Sequence, residues 1–131
     1  MNRLTREWVD LAAGDFAAAT REAAVTEQPF PSGVCFHSQQ CVEKLMKAVL
    51  IQSGTRFDKT HNLRLLAALI HTSHPTAPMP DDPDLDLLQP GAVEYRYPGD
   101  QPDMDDARVV LDACRRVRTI LLAMLDGPAK M

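Results

Sequence analysis

Apolar residues recur along this chain at spacings of three and four, and no stretch alternates apolar with polar positions over five or more residues. The first pattern is the mark of helices and the second of strands, so the sequence predicts helices throughout. The first helix is predicted over Thr5 to Thr26. Leu4, Trp8, Leu11, Asp15 and Ala18 form one stripe there, with Ala12, Phe16 and Ala19 beside it and Asp15 as its single carboxylate. Alanine favours the helix and allows another helix to come close. Pro29 and Pro31 stop it, because proline lacks an amide donor and restricts the residue before it.

A second helix is predicted from Ser32, read as its N-cap, to about Ser53, with Gly54 as terminator. Val34, Cys41, Val42, Leu45, Met46, Ala48 and Val49 cover one side of it. His37, Gln40, Lys44 and Lys47 line up on a neighbouring face. A third helix, capped by Thr60, carries Leu63, Leu66, Ala67 and Ile70 and ends before the proline-rich loop His74 to Pro83. Asp82 and Pro83 read as N-cap and first residue of a short fourth helix with Leu85, Leu87 and Leu88, breaking at Pro90 and Gly91. The last helix opens on Asp103, Asp105 and Asp106, where a cap and negative charge suit the positive end of the helix dipole. Its stripe is Met104, Ala107, Leu111, Cys114, Leu121 and Leu125, widened by Val110, Val117 and Met124, and Gly127 and Pro128 close it. None of these helices is stable alone, so the expected fold is all-α: an antiparallel up-and-down bundle of four to five helices, forming one domain over residues 1–131.

Composition narrows what such a bundle does. The chain has 131 residues and 45 % of them are apolar, enough for a core without disulfides. Three cysteines, Cys35, Cys41 and Cys114, cannot all pair and read as small core residues of a reducing compartment. The net charge of −4 excludes a broadly basic nucleic-acid surface but not a local basic patch. Met1 to Trp8 is polar and charged, unlike a signal peptide, and no apolar stretch approaches the ~20 residues of a membrane span, so a cytoplasmic location is expected.

Three clusters carry candidate chemistry. On the second helix, His37, Gln40, Lys44 and Lys47 present two cations and two hydrogen-bonding groups suited to an anionic ligand, the alternative being a solvated face. Arg56, Lys59, Thr60 and His61 precede the third helix, where exposed amides also attract anions. In the third cluster, Glu94 to Pro98, Arg96 suits a phosphate or a carboxylate, and Asp15 is a potential partner for it. Gly-rich phosphate loops, H-E-x-x-H and G-x-S-x-G are absent from the sequence, and His71 and His74 lack a convincing third zinc ligand. No metal or cofactor is therefore expected.

Taken in order, these residues resemble a known family. Cys35 to Leu50, with Gln40, Glu43, Lys44, Lys47 and Ala48, resembles the Q-x-x-E-K-x-x-K-A centre of the HEPN family (higher eukaryotes and prokaryotes nucleotide-binding). Lys59-Thr60-His61-Asn62-Leu63 is similar to its T-H-[DN]-L element, and Glu94-Tyr95-Arg96-Tyr97-Pro98 to its [ED]-x-R-Y-P. Trp8 and Ala12 through Phe16 match its opening. The resemblance implies a helical bundle that pairs as a homodimer and partners a minimal nucleotidyltransferase in a toxin–antitoxin module. Some members are metal-independent ribonucleases with an R-x(4–6)-H motif. Here no histidine follows Arg96 at that distance, while Arg56 and His61 satisfy the spacing before the third helix. The expected function is thus a non-catalytic HEPN module that binds a nucleotide or RNA phosphate through His37, Gln40, Lys44, Lys47, Lys59, His61, Arg96 and Tyr97. The alternatives are a ribonuclease toxin using Arg56 and His61, or a dimerisation scaffold without ligand.

Overall fold

The computed structural model describes residues 1–93, 95 and 98–126, and every regular element among them is helical. The order is α1 (Arg3–Ala23), α2 (Pro31–Gln52), α3 (Leu63–Ser73), α4 (Asp82–Leu88), a 3₁₀ turn (Gln89–Ala92) and α5 (Met104–Leu125). This is the expected helical bundle. Its organising element is α2, against which α1, α3, α5 and the 3₁₀ turn all pack. Fourteen of the 22 residues of α2 are buried, so its surroundings, and not one apolar stripe, decide its place at the centre.

The local chemistry explains where the helices begin and end. Asn2 caps α1, its Oδ1 accepting from the Thr5 amide at 2.8 Å, so the helix starts two residues before the predicted Thr5 and ends at Ala23. Gln28 takes a positive φ of 50° as the chain reverses before Pro29. Pro31, not Ser32, opens α2, since proline at the first turn sacrifices no helical hydrogen bond. Gly54, with φ 71°, ends it as expected. Asn62 caps α3 in place of Thr60: its Oδ1 accepts from Leu65 N, while Thr60 Oγ1 accepts from Asn62 N. Asp81 precedes α4, one position before the predicted cap, and the expected break at Pro90 and Gly91 is a continuous 3₁₀ turn. Asp103 and Asp106 form a reciprocal capping box on α5, each side chain accepting from the other's backbone amide, at 2.7 and 3.0 Å. Gly127 and Pro128 lie outside the described residues. Asp103→Ala is expected to cost about 1 kcal/mol of stability, read by urea unfolding. A change under a few tenths would show that the box contributes nothing.

The buried line of α1 differs from the predicted stripe. It runs Thr5, Ala12, Asp15 and Ala19, whereas Leu4 and Leu11 are half-exposed at 50 % and 56 %. Small residues at positions 12 and 19 let α1 lie close against α2, and that approach turns the larger leucines outward. The buried residues of α5 contain most of the predicted stripe. All three cysteines are free and buried, as expected of core residues. Burial pushes the Cys35 thiol up to about 11, which keeps it protonated and inert. Arg116 reaches from α5 to Asp84 of α4 with two hydrogen bonds of 3.1 and 2.8 Å, and Arg64 of α3 similarly grips Asp86.

Candidate functional site

Two polar ladders run along α2. Residues seven apart on a helix share a face, and this brings His37 and Lys44 to the same carboxylate, Asp15 of α1. His37 Nδ1 lies 2.8 Å from Asp15 Oδ1, and Lys44 Nζ lies 2.6 Å from Oδ2. Both oxygens of Asp15 are thereby engaged. The aspartate stands in the buried line of α1 because α2 supplies a cation opposite it.

The second ladder has the i, i+4 spacing of neighbours on one helical row. Gln39, Glu43 and Lys47 form it, and it meets His61 from the loop before α3. Glu43 Oε1 accepts from Gln39 Nε2 at 3.0 Å and from His61 Nδ1 at 2.8 Å, while Oε2 accepts from Lys47 Nζ at 2.9 Å. The Glu43 and Lys47 side chains are only 4 % and 8 % exposed. Burial works to raise the Glu43 carboxyl, but the bonds from Gln39, Lys47 and His61 and the charge of Lys47 outweigh it and hold the group below the usual glutamate range. Lys47 Nζ also stands 5.7 Å from the Trp8 ring centroid, which adds a cation–π contact from α1. Gln40 joins the ladder by donating to Gln39 Oε1 at 2.8 Å. The 3₁₀ turn fixes the His61 backbone, since Gln89 donates to the His61 carbonyl and accepts from Leu63 N.

The arrangement holds two histidines at Nδ1, with no hydrogen bond to Nε2 of either among the described residues. A carboxylate only accepts, so Nδ1 of His37 and of His61 carries the hydrogen in each pair, and Nε2 remains for a ligand. Their side chains are 34 % and 64 % exposed. A neutral imidazole held this way offers a lone pair to a hydroxyl, and a protonated one offers an N–H to a phosphate oxygen.

The residues singled out in the sequence are thus only partly gathered. His37, Gln40, Lys44 and Lys47 do share one side of α2, but as an internally paired polar seam against α1 and not as a solvated face. His61 joins them through Glu43. Lys59 is exposed on the preceding loop, and Arg56 lines a different groove with Ile51, Phe57 and Leu69, away from the one that His61 lines with Asn62 and Gln89. The α3 N-terminus has its first amides in use, Leu63 N on Gln89 and Leu65 N on Asn62, which leaves less for an anion than expected. Arg96 and Tyr97 lie outside the described residues, and Asp15 meets Lys44 and His37. Three residues were not singled out as site residues: Asp15, read only as a partner for Arg96, and Gln39 and Glu43. The i, i+4 run Gln39, Glu43, Lys47 inside an apolar helix was the available signal.

An all-helical bundle with one carboxylate-anchored histidine on its central helix and a second on the loop before α3 defines a small helical module with a polar face. The chain belongs to the HEPN family: the HEPN domain model matches residues 5–124. Membership supports a nucleotide- or RNA-related function in general terms. No curated protein and no solved structure matches the chain. Among the described residues no helix is long and apolar enough to cross a membrane.

Proposed function

We propose that this chain is a HEPN module that binds a phosphate group of a nucleotide or RNA on the polar face of α2, without cleaving it. The observation that carries this reading is the pair of histidines gripped at Nδ1 by buried carboxylates, His37 by Asp15 and His61 by Glu43. Held side chains lose little entropy on binding, so the Nε2 nitrogens are preorganised for a ligand, donating to phosphate when the imidazole is protonated. Lys44, 22 % exposed beside His37, adds a cation within reach of the ligand. Lys47, nearly enclosed, acts through Glu43. Gln40, Lys59, Arg96 and Tyr97 complete the proposed set as polar groups of the same family motifs. Self-association, and pairing with a nucleotidyltransferase in a toxin–antitoxin module, belong to the same proposal. Leu4 and Leu11, half-exposed on α1, provide apolar side chains for such contacts.

Calorimetry with ATP, GTP and short RNAs tests it. Binding is expected in the wild type, weakened about tenfold by His37→Ala or His61→Ala, the loss of one charge-assisted hydrogen bond. No heat with any of these ligands in the folded protein would end the proposal. A metal-independent ribonuclease is the second reading, because an Nδ1-anchored imidazole is also the arrangement of a general base. RNA cleavage in EDTA, abolished in His61→Ala, would replace the first reading by the second.

A further inference from the structure

The phosphate-binding reading leaves open what the phosphate is attached to, and a cleft at the N-terminal end of α2 answers that question if the reading holds. The cleft has a volume of 570 Å³ and is bounded by Phe30, Phe36, Tyr95, Pro98 and His37 among others, a size typical of small-ligand sites. The chain has one Trp, two Tyr and four Phe, so three of its seven aromatic side chains gather at this one opening. Phe30 remains 58 % exposed there. Its ring lies against the first turn of α2 only because Gly33 has no side chain: a Cβ at Gly33 would stand 2.5 Å from Phe30 Cδ2. The Phe36 ring meets the His37 imidazole at 5.3 Å between centroids and 72° between planes. The histidine that Asp15 holds therefore forms a polar wall of the aromatic cleft.

From this geometry we infer that the cleft is a base-binding subsite, which takes one unpaired nucleobase of a single-stranded RNA while the adjoining phosphate lies along the α2 face. Aromatic rings with an imidazole in contact with one of them suit a planar heterocycle with polar edges better than an alkyl chain. Stacking on aromatic side chains accepts any base, because every base has a π-face, and it requires the base to be out of a duplex. His37 belongs to both the cleft and the polar face, and so links base to phosphate.

Calorimetry on the whole chain with a short single-stranded RNA, the same ribose-phosphate backbone lacking bases, and the corresponding duplex tests the inference. The base-bearing strand is expected to bind about tenfold or more tightly than the abasic strand and the duplex. Phe36→Ala should bring the base-bearing and abasic strands to near equality while leaving abasic binding unchanged. Gly33→Ala should have the same effect by displacing the Phe30 ring, although alanine favours the helix and circular dichroism should show the fold intact. Equal binding of both strands by the wild type would overturn the subsite and leave the phosphate reading standing. Binding of neither would remove the phosphate reading itself. A base preference surviving both substitutions would overturn the placement of the base in this cleft.

Discussion

Glu43→Ala is expected to destabilise the protein by about 3–5 kcal/mol, because it leaves the Lys47 ammonium buried without its partner. The Lys47 side chain is 8 % exposed and its nearest carboxylate oxygen is that of Glu43, at 2.9 Å. Trp8 of α1 also stands over the lysine, 5.7 Å from Nζ to the ring centroid. The double substitution Glu43→Leu with Lys47→Met should recover part of the loss, since it leaves no buried charge, while Gln39 Nε2 and His61 Nδ1 still lose their acceptor. Urea unfolding of both variants checks this, and a loss below 1 kcal/mol for Glu43→Ala would show that the pair is solvated. The same pair gives the fold an acid limit. The Glu43 carboxyl is held below its ordinary value in the folded protein. Its contribution is therefore fully present above the pKa of the unfolded chain and is lost as the pH falls through the lower, folded value. In Glu43→Gln this part of the acid sensitivity should vanish.

Gly91→Ala is expected to cost about 1–3 kcal/mol and to weaken ligand binding at the same time. A Cβ at this position would lie 2.4 Å from the Cys35 carbonyl oxygen and 3.1 Å from Gln39 Cβ. The first of these is backbone inside α2 and cannot rotate away, so the 3₁₀ turn must retreat. That turn supplies Gln89, which holds the His61 carbonyl, and it leads directly to Tyr95 at the cleft. Stability and single-stranded RNA affinity should fall together. Gly14→Ala is the control: nothing lies within 4 Å of a Cβ there, and alanine inside α1 should add about 0.5–1 kcal/mol. A Gly91→Ala protein as stable as the wild type would show that the turn is not packed against α2 as described.

The helices themselves were legible in the sequence. Periodicity of three and four, prolines at 29, 31 and 83, the glycine at 54 and the aspartates at 103 and 106 mark elements by local rules, and local rules need no tertiary context. The caps shifted by one or two residues: Asn62 takes the Leu65 amide while Thr60 takes that of Asn62, and Asp81 precedes α4 without a side-chain cap bond. The family motifs were equally readable, since they are strings of residues.

What periodicity did not determine was which face of each helix turned inward. In α1 the larger leucines at 4 and 11 suggested one buried line, but close packing on α2 selected the line of small residues at 12 and 19. In α2 the polar positions looked like a surface, and the enclosing helices made them a buried seam. Asp15 and Lys44 are 29 residues apart and Glu43 and His61 are 18 apart, so nothing local joins them. The sequence by itself determined an all-helical chain of the HEPN family. Only the tertiary structure decided that Lys44 and Lys47 balance internal carboxylates and that the same carboxylates hold His37 and His61, because a charge removed from water must find its counter-charge wherever packing brings one.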